Sequence, residues 1–479
     1  MTGTDFLLLD RVQAPAHGLA DWLTATLRAA VADGRLPIGA RLPATRALAG
    51  QLGVSRGVVV EAYQRLTDAG LLTGRHGAGT TVTALASSHP ATTSALQQGH
   101  PTAAPLQQGH PAAAEPAPVE IDLSPGLPDL SAFPRQAWLR AERAALATVS
   151  AAELGYGDPR GTLALREALA GWLGRTRGVR TTPDELIVVN GVAQGLSLLG
   201  QELRARGESE IAFEDPGSGG TRRQLKRSGL APVPVPVDEL GLDVDALAAT
   251  GLGSVIVTPA HQYPTGVVLA AERRRALVAW TRSGGLVVED DYDAEHRYDR
   301  APVAAVQALA PGAVVYLGSV SKTLAPALRL GWVVAPPGIR ADLLERKRWT
   351  DITSPALGQL ALAHMITSGA FERHLRLVRA RQRERRDALL AALARYLPQA
   401  RVLGVAAGLH LLVTLDGVGD DRALAASARE HGVAVHPLSW HRRLPGPAGL
   451  VIGYAAATPD RITEGVSRLG PLATAAEGS

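Results

Sequence analysis

The sequence predicts two folded units of different class. A small winged helix-turn-helix occupies residues 1–83, and a large α/β domain with a mostly parallel sheet and a smaller C-terminal α+β part occupies 119–479. Three observations predict this. Residues 18–83 hold three helical stretches followed by two short strands around a Gly-rich turn. Residues 119–479 hold six short apolar runs separated by helical stretches. Between them, residues 84–118 have the composition of a flexible linker.

The bulk properties set limits. A chain of 479 residues suffices for two or three domains and a large core. Its apolar content is 46% and its net charge only +4, so charge alone does not announce a nucleic-acid partner. There are no cysteines, which excludes disulfides and thiolate-bound metal. The thirteen histidines lack ligand-type spacing such as HExxH, and no metal site is expected. No apolar run approaches the roughly 18 residues of a membrane span. The N-terminal stretch lacks a basic segment followed by an apolar one. These features predict a soluble cytoplasmic protein with no membrane partner.

The first unit reads element by element. Leu19–Asp33 carries apolar residues at Leu19, Trp22, Leu23, Leu27, Ala30 and Val31, an amphipathic helical spacing. Gly34 can end it, and Pro37 and Gly39 can turn the chain. A second helix fits Thr45–Leu52, stopped by Gly53. Ser55 can cap a third helix, Arg56–Ala69, stopped by Gly70. The following LLTGRHGAGTTVT reads as a hairpin. The third helix is then the reader and the hairpin the wing. Between Arg41 and Arg75 five arginines face only Glu61 and Asp68.

The linker contains LQQGHPTAAP at 96–105 and LQQGHPAAAE at 106–115. Such a segment cannot bury enough apolar surface to offset the entropy of ordering, so a mobile tether is expected.

In the large domain the apolar runs are 186–190, 210–214, 254–258, 286–290, 314–319 and 331–335. Short, fully apolar strands alternating with helices predict a parallel sheet covered on both faces. Function then belongs at the carboxyl ends of those strands. A long helical stretch, Arg340–Leu397, leads to the C-terminal part, with strands at 409–415, 434–438 and 449–455.

The lysine content directs attention to one strand end. Of 49 Lys and Arg residues only Lys226, Lys322 and Lys347 are lysine. A chain this rich in arginine keeps lysine mainly where an amine must lose its proton, as in forming a Schiff base. Lys322 lies in GSVSKTLAPALRLGW, with Ser319 and Ser321 beside it and Arg329 seven residues on. Small hydroxyls and a guanidinium suit a phosphate monoester. After LIVVN comes the turn Gly191, Val192, Ala193, Gln194 at a helix start, where N–H groups also suit a phosphate. After LVVE come Asp290 and Tyr292; a buried carboxylate keeps a pyridine nitrogen protonated, and a tyrosine can meet the ring hydroxyl. Taken singly, each feature reads equally well as a surface loop or a plain turn. Their ordered occurrence at successive strand ends points to pyridoxal 5'-phosphate (PLP) as cofactor.

The stretch GRLPIGARLPATRALAGQLGVSRGVVVEAYQRLTDAGLLTGRHGAGTTV resembles the GntR family of bacterial regulators. The resemblance implies double-stranded DNA as partner, with Arg46 and Arg56 on phosphates or bases, Ser55 on a phosphate, and His76 and Gly77 in the minor groove. Gly57–Val58 departs from the polar residues common there, which implies fewer base contacts.

From about Asp122 onward the chain resembles fold-type I aminotransferases, in the form fused to a GntR winged helix in the MocR family of regulators. The motifs are LSPGLPDLSAFPRQAW, LGYGDPRGTLALREALAGWLGRTRGV, EDPGSGG, TPAHQYPTG, EDDYDAEHRY and GSVSKTLAPALRLGW. The resemblance implies that Lys322 carries the cofactor as an aldimine and that Asp290 pairs with the pyridinium. It further implies Tyr292 on the ring oxygen, with Ser319, Ser321, Arg329 and the Gly191–Gln194 turn on the phosphate. It also implies a homodimer. Two departures stand out. Ser218 occupies the place of a ring-stacking aromatic, and Val451 lies near the place of the arginine that binds a substrate carboxylate, for which Arg442 or Arg443 are substitutes.

Three functions follow as expectations. The first is a PLP-dependent transcription regulator that senses PLP, with vitamin B6 synthesis as the controlled process, or an amino compound. The second is an active aminotransferase carrying a DNA-binding module, with at most weak or partial chemistry. The third, regulation independent of PLP, is disfavoured by the intact lysine, aspartate and phosphate set.

Overall fold

The computed structural model describes residues 18–32, 36, 39–68, 71–75, 79–82, 119–298 and 303–476. The chain divides into two compact units, Met1–Thr102 and Ala103–Ser479. The linker repeat at 96–115 lies outside the described residues.

The first unit contains α1 (Leu19–Ala32), β1 (Arg41–Leu42), α2 (Thr45–Leu52), α3 (Arg56–Asp68), β2 (Leu72–Arg75) and β3 (Gly79–Val82). The three helices fall where the apolar spacing predicts them. Gly53 ends α2 in the left-handed conformation, φ 60°, and its N–H donates to the Ala49 carbonyl. That conformation favours glycine, which is why the helix stops there. Leu23, Leu27, Leu48, Leu52, Val59, Ala62 and Leu66 form one buried core. The Tyr63 hydroxyl donates to the Pro43 carbonyl at 2.9 Å and ties α3 to the chain before α2. The sheet has three strands, in the order β1-β3-β2, rather than the two of the hairpin alone. Arg41–Leu42 is too short to show alternation, so nothing in its sequence marks it as a strand.

The second unit opens with β4 (Ile121–Asp122), α4 (Arg135–Thr148), α5 (Leu163–Arg177), β5 (Leu186–Val189) and α6 (Val192–Ala205). It continues through β6 (Glu210–Asp215), α7 (Gly219–Arg227), β7 (Ala231–Asp238), β8 (Gly241–Leu242), α8 (Val244–Ala249), β9 (Ser254–Val257) and α9 (Ala271–Arg282). Then come β10 (Leu286–Asp291), β11 (Val314–Ser319), β12 (Gly331–Val334) and the helices α10 (Pro337–Asp351), α11 (Ala356–Thr367) and α12 (Ala370–Tyr396). The C-terminal part is β13 (Arg401–Leu403), β14 (His410–Thr414), α13 (Asp421–Glu430), β15 (Val433–Ala434), β16 (His436–Pro437), β17 (Gly449–Gly453) and α14 (Pro459–Ala476).

Eight strands form the central sheet in the order β5-β12-β11-β10-β9-β6-β7-β8. β12 pairs antiparallel with both β11 and β5, and β8 antiparallel with β7; the other pairings are parallel. All six predicted runs are strands of this sheet. β5, β9 and β12 are buried at every position, as strands with two covered faces must be. One apolar cluster packs on each face of the β5–β12 edge, around Trp172 and Trp332 on one side and Leu199 and Val333 on the other.

β7 was not expected, because Pro232, Pro234 and Pro236 alternate through it. Its pairing resolves the difficulty. Ala231 donates its N–H to the Ser209 carbonyl, and the period of two turns the following valine N–H groups to β6 as well. The prolines, which have no N–H, then face the other way. The predicted stretch Arg340–Leu397 is three helices, α10 to α12, broken at Ile352–Pro355 and Ser368–Gly369. The small C-terminal sheet runs β13-β14-β17-β16.

Candidate functional site

The carboxyl ends of β5, β9, β10 and β11 bring the predicted residues to one end of the sheet. Lys322 follows β11, and its ammonium donates to the Gly126 carbonyl. Burial lowers its pKa below the ordinary lysine value, opposed by the Asp293 and Asp290 carboxylates. This is the environment in which an amine acts as a nucleophile.

Asp290 and Asp291 are adjacent on β10 and do different things because successive side chains leave opposite faces of a strand. Asp290 Oδ1 is buried with no hydrogen-bond partner. Burial, reinforced by Asp291 and Asp293 and opposed by Lys322, raises the Asp290 carboxyl to about 7. A buried carboxyl oxygen without a donor suits a cationic N–H supplied by a ligand. Asp291 is instead clamped from two sides. Arg177 Nε lies 2.7 Å from Oδ2 and its Nη2 3.0 Å from Oδ1, and the Tyr316 hydroxyl donates to Oδ2 at 2.5 Å. Burial alone would lower the Arg177 pKa, but Asp291 and Tyr316 outweigh it and the pKa is raised.

Tyr292 lies 3.1 Å from His261 Nδ1, and that nitrogen is 2.8 Å from Asp293 Oδ2. Burial and the Asp293 charge push the Tyr292 phenol well above its usual value, so it stays protonated and is a donor. The Tyr292 ring also meets Tyr263 edge-on, with centroids 6.1 Å apart, and Tyr263 in turn meets His410 and His441. Sequence reasoning missed Arg177, His261, Asp293 and Tyr316.

The phosphate-type residues form a second group. Ser319 ends β11, and the Ser321 N–H donates to its hydroxyl at 3.3 Å. Arg329 adopts the left-handed conformation, φ 54°, and its guanidinium donates to the Asn190 carbonyl. Gly191 is the N-cap of α6 with φ 78°. A Cβ there would come within 2.7 Å of the Arg329 guanidinium. The Val192 and Ala193 N–H groups lie in the first turn of α6, where no helical acceptor exists. Gln194 is turned away. Its side chain accepts from Asn190 N at 2.7 Å and donates to Asp351 Oδ2 at 2.8 Å, while its own N–H goes to the Gly191 carbonyl. Buried Lys347 holds Asp351 from the other side at 2.8 Å, so this second lysine is structural.

Both departures have structural counterparts. Ser218 caps α7, accepting the Thr221 N–H at 3.2 Å. Val451, on β17, is fully buried against Leu412 and Leu438. The Arg442 guanidinium donates to the Pro447 carbonyl, and the backbone N–H groups of Arg443 and Leu444 donate to Asp215 at 2.7 and 2.8 Å. The buried arginine of this region is Arg222, which donates to the Trp440 carbonyl at 2.9 Å.

In the first unit Arg46 is exposed in the first turn of α2, and Ser55 and Arg56 are exposed at the start of α3. Arg56 Nε donates to Thr45 Oγ1 at 3.4 Å, which brings the two helix starts together. His76 and Gly77 lie outside the described residues.

Comparisons with known proteins agree with this division. The profile of bacterial regulatory proteins of the gntR family matches residues 19–82, and that of class I and II aminotransferases matches 119–469. The probable rhizopine catabolism regulatory protein MocR of Rhizobium meliloti is 34% identical over 99% of this chain and 97% of its own length. The pyridoxine biosynthesis transcriptional regulator PdxR of Corynebacterium glutamicum is 33% identical over 92% of each. Among solved structures, Pyrococcus horikoshii kynurenine aminotransferase superposes with a TM-score of 0.69 and 27% identity, covering 76% of this chain and 92% of that one. Pyridoxal phosphate is the cofactor of this fold, and unpartnered Asp290, the low-pKa Lys322 and the Arg329–Gly191 cradle fit it. A DNA-reading winged helix followed by a domain of that fold places the chain in the MocR-type family of transcription regulators, to which it belongs.

Proposed function

We propose that this chain is a homodimeric, cytoplasmic regulator for which PLP itself is the signal, with vitamin B6 synthesis as the controlled process. Lys322 would bind the cofactor, Asp290 face its ring nitrogen and Tyr292 donate to its ring oxygen. Ser319, Ser321, Arg329 and the N–H groups of the Gly191 turn would hold its phosphate. The cofactor supplies an aldehyde that condenses with amines and a ring that withdraws electrons. What the chain supplies is a deprotonatable amine, a carboxylate to hold a ring proton in place, and an anion cradle.

The observation that carries this reading is Val451. Where an aminotransferase needs a cation for a substrate carboxylate, the chain has an apolar contact with Leu412 and Leu438. Cofactor binding is equipped and amino-acid binding is not. This counts against a working aminotransferase. The similarity to a regulator of pyridoxine biosynthesis supports the choice of signal. Support for a homodimer comes from the apolar side chains exposed from α4 to α5, Leu139, Leu146, Leu154, Tyr156 and Leu163, which suit a second copy.

A second reading keeps PLP as a fixed group and makes an amino compound the signal. Arg222 favours it, as a buried cation beside the 440–444 loop. A titration of the cofactor-free protein with PLP separates the two, with absorbance and binding to its own promoter region followed in parallel. Under the first reading both change together without added amine. Absorbance that changes while DNA binding stays flat until an amine is added establishes the second.

A further inference from the structure

We infer that Val60 is a specificity-determining residue of the winged helix, reading the 5-methyl group of a thymine in the major groove. The inference rests on the reading of the first unit as a DNA-binding module and concerns what that module recognises.

The outward face of α3 is unusual in its chemistry. At 100° per residue, Arg56, Gly57, Val60 and Gln64 share one side, opposite buried Val59, Ala62 and Leu66. Arg56, Gly57, Val60 and Gln64 are all exposed, Val60 to 44%. Exposed apolar side chains occur elsewhere on this chain, but Val60 stands on the face of α3 that the DNA-binding reading presents to the groove. Glu61, the acidic residue of the same region, is held by Arg65, which also binds Asp21. Its charge is therefore compensated and drawn away from the Val60 side. Gly57 has no side chain, and a Cβ there would meet nothing closer than Ser55 Oγ at 3.7 Å. The helix start can thus approach a groove floor closely, and Val60 is the next side chain to reach it.

The major groove presents donors and acceptors from every base pair but only one apolar group, the thymine methyl. An exposed valine flanked by an arginine at i−4 matches that group. Arg56, tied to Thr45, positions the helix on the phosphates, and Val60 then faces the base edges.

The test uses the full chain and an operator chosen by selection from random duplexes. Each thymine of the operator is replaced in turn by deoxyuridine, which removes only the methyl. The wild type should lose affinity at one position per half-site, by about fourfold, the factor for one methyl removed from burial. In Val60→Ala the same replacement should have no effect. Val60→Thr keeps one methyl and the side-chain shape and should keep part of the effect, which guards against an altered helix in the alanine variant. No deoxyuridine effect at any position in the wild type would overturn the inference, as would an effect of equal size in Val60→Ala. A wild type that binds no duplex at all would instead remove the DNA-binding role itself.

Discussion

Arg329 lies directly across Gly191: a methyl group on that glycine would come within 2.7 Å of the guanidinium, and both residues have positive φ. The two halves of the proposed anion cradle, from β5 and from the loop after β11, are thus fitted to each other through backbone conformation. Gly191→Ala should displace Arg329 and strain the start of α6 by about 1–3 kcal/mol. We expect PLP affinity to fall roughly tenfold or more, which corresponds to about 1.4 kcal/mol. Equilibrium titration with PLP measures this. An unchanged affinity would show that this turn does not hold the phosphate.

Lys322→Ala should abolish the visible absorbance that PLP acquires on lysine, while the thermal unfolding of the cofactor-free protein stays close to wild type. Among the hydrogen bonds of the described residues, the Lys322 side chain reaches only the Gly126 carbonyl, and the backbone carbonyl facing His296 survives the substitution, so the change removes little from the fold. Retention of the absorbance would move the attachment to another amine.

Asp290 makes stability depend on pH. Its folded pKa of about 7 lies above the roughly 4 of an unfolded aspartate, so between these values the folded state binds the extra proton. Stability from this group is therefore greatest below pH ~4 and falls as pH rises towards 7, by up to about 1.4 kcal/mol per pH unit. His296 and His436, lowered to about 4, and His410, lowered to about 3, act in the opposite sense, since stability lost on protonating them is regained as pH rises. The difference between wild type and Asp290→Asn isolates the carboxyl. In cofactor-free protein the variant should lose less stability than wild type from pH 5 to pH 7.5 in urea titrations. Parallel curves for the two proteins would contradict the assignment.

Arg177→Met should be among the most destabilising single changes in the large unit. It would leave Asp291 buried without its guanidinium, which costs about 3–5 kcal/mol. Chemical denaturation reads this directly. A loss under about 1 kcal/mol would mean that Tyr316 alone satisfies Asp291.

Arg56→Ala should weaken DNA binding and lower the slope of log affinity against log salt by about one. A slope equal to that of wild type would show that Arg56 does not meet a phosphate.

What the sequence made legible follows from the range of the interactions. Helices α1 to α3 and the six apolar strands announce themselves through local periodicity. Lys322 stands out because its chemistry forbids arginine. The role of Asp290 depends on which face of β10 it leaves, and the adjacent Asp291 is indistinguishable from it in a string of letters. Arg177 lies 114 residues before Asp291, and no local pattern joins them. Its position groups Gln194 with the phosphate turn, yet its side chain joins Asn190 and Asp351, a partner 157 residues away. β7 was hidden because proline signals a break unless the pairing partner is known.

The proline alternation in β7 also bears on how the molecule behaves in a crowded solution. β8 covers Val237 and Asp238, and the Asp243 N–H donates to the Pro236 carbonyl; beyond that, the outer side of β7 offers carbonyls but no N–H groups from residues 232 and 234. A foreign strand arriving there finds half of the ladder missing. The part of the β7 edge that β8 leaves uncovered is therefore blunted by covalent chemistry rather than by charge. Replacing Pro232 and Pro234 with valine would restore donors to that edge and favour edge-to-edge pairing.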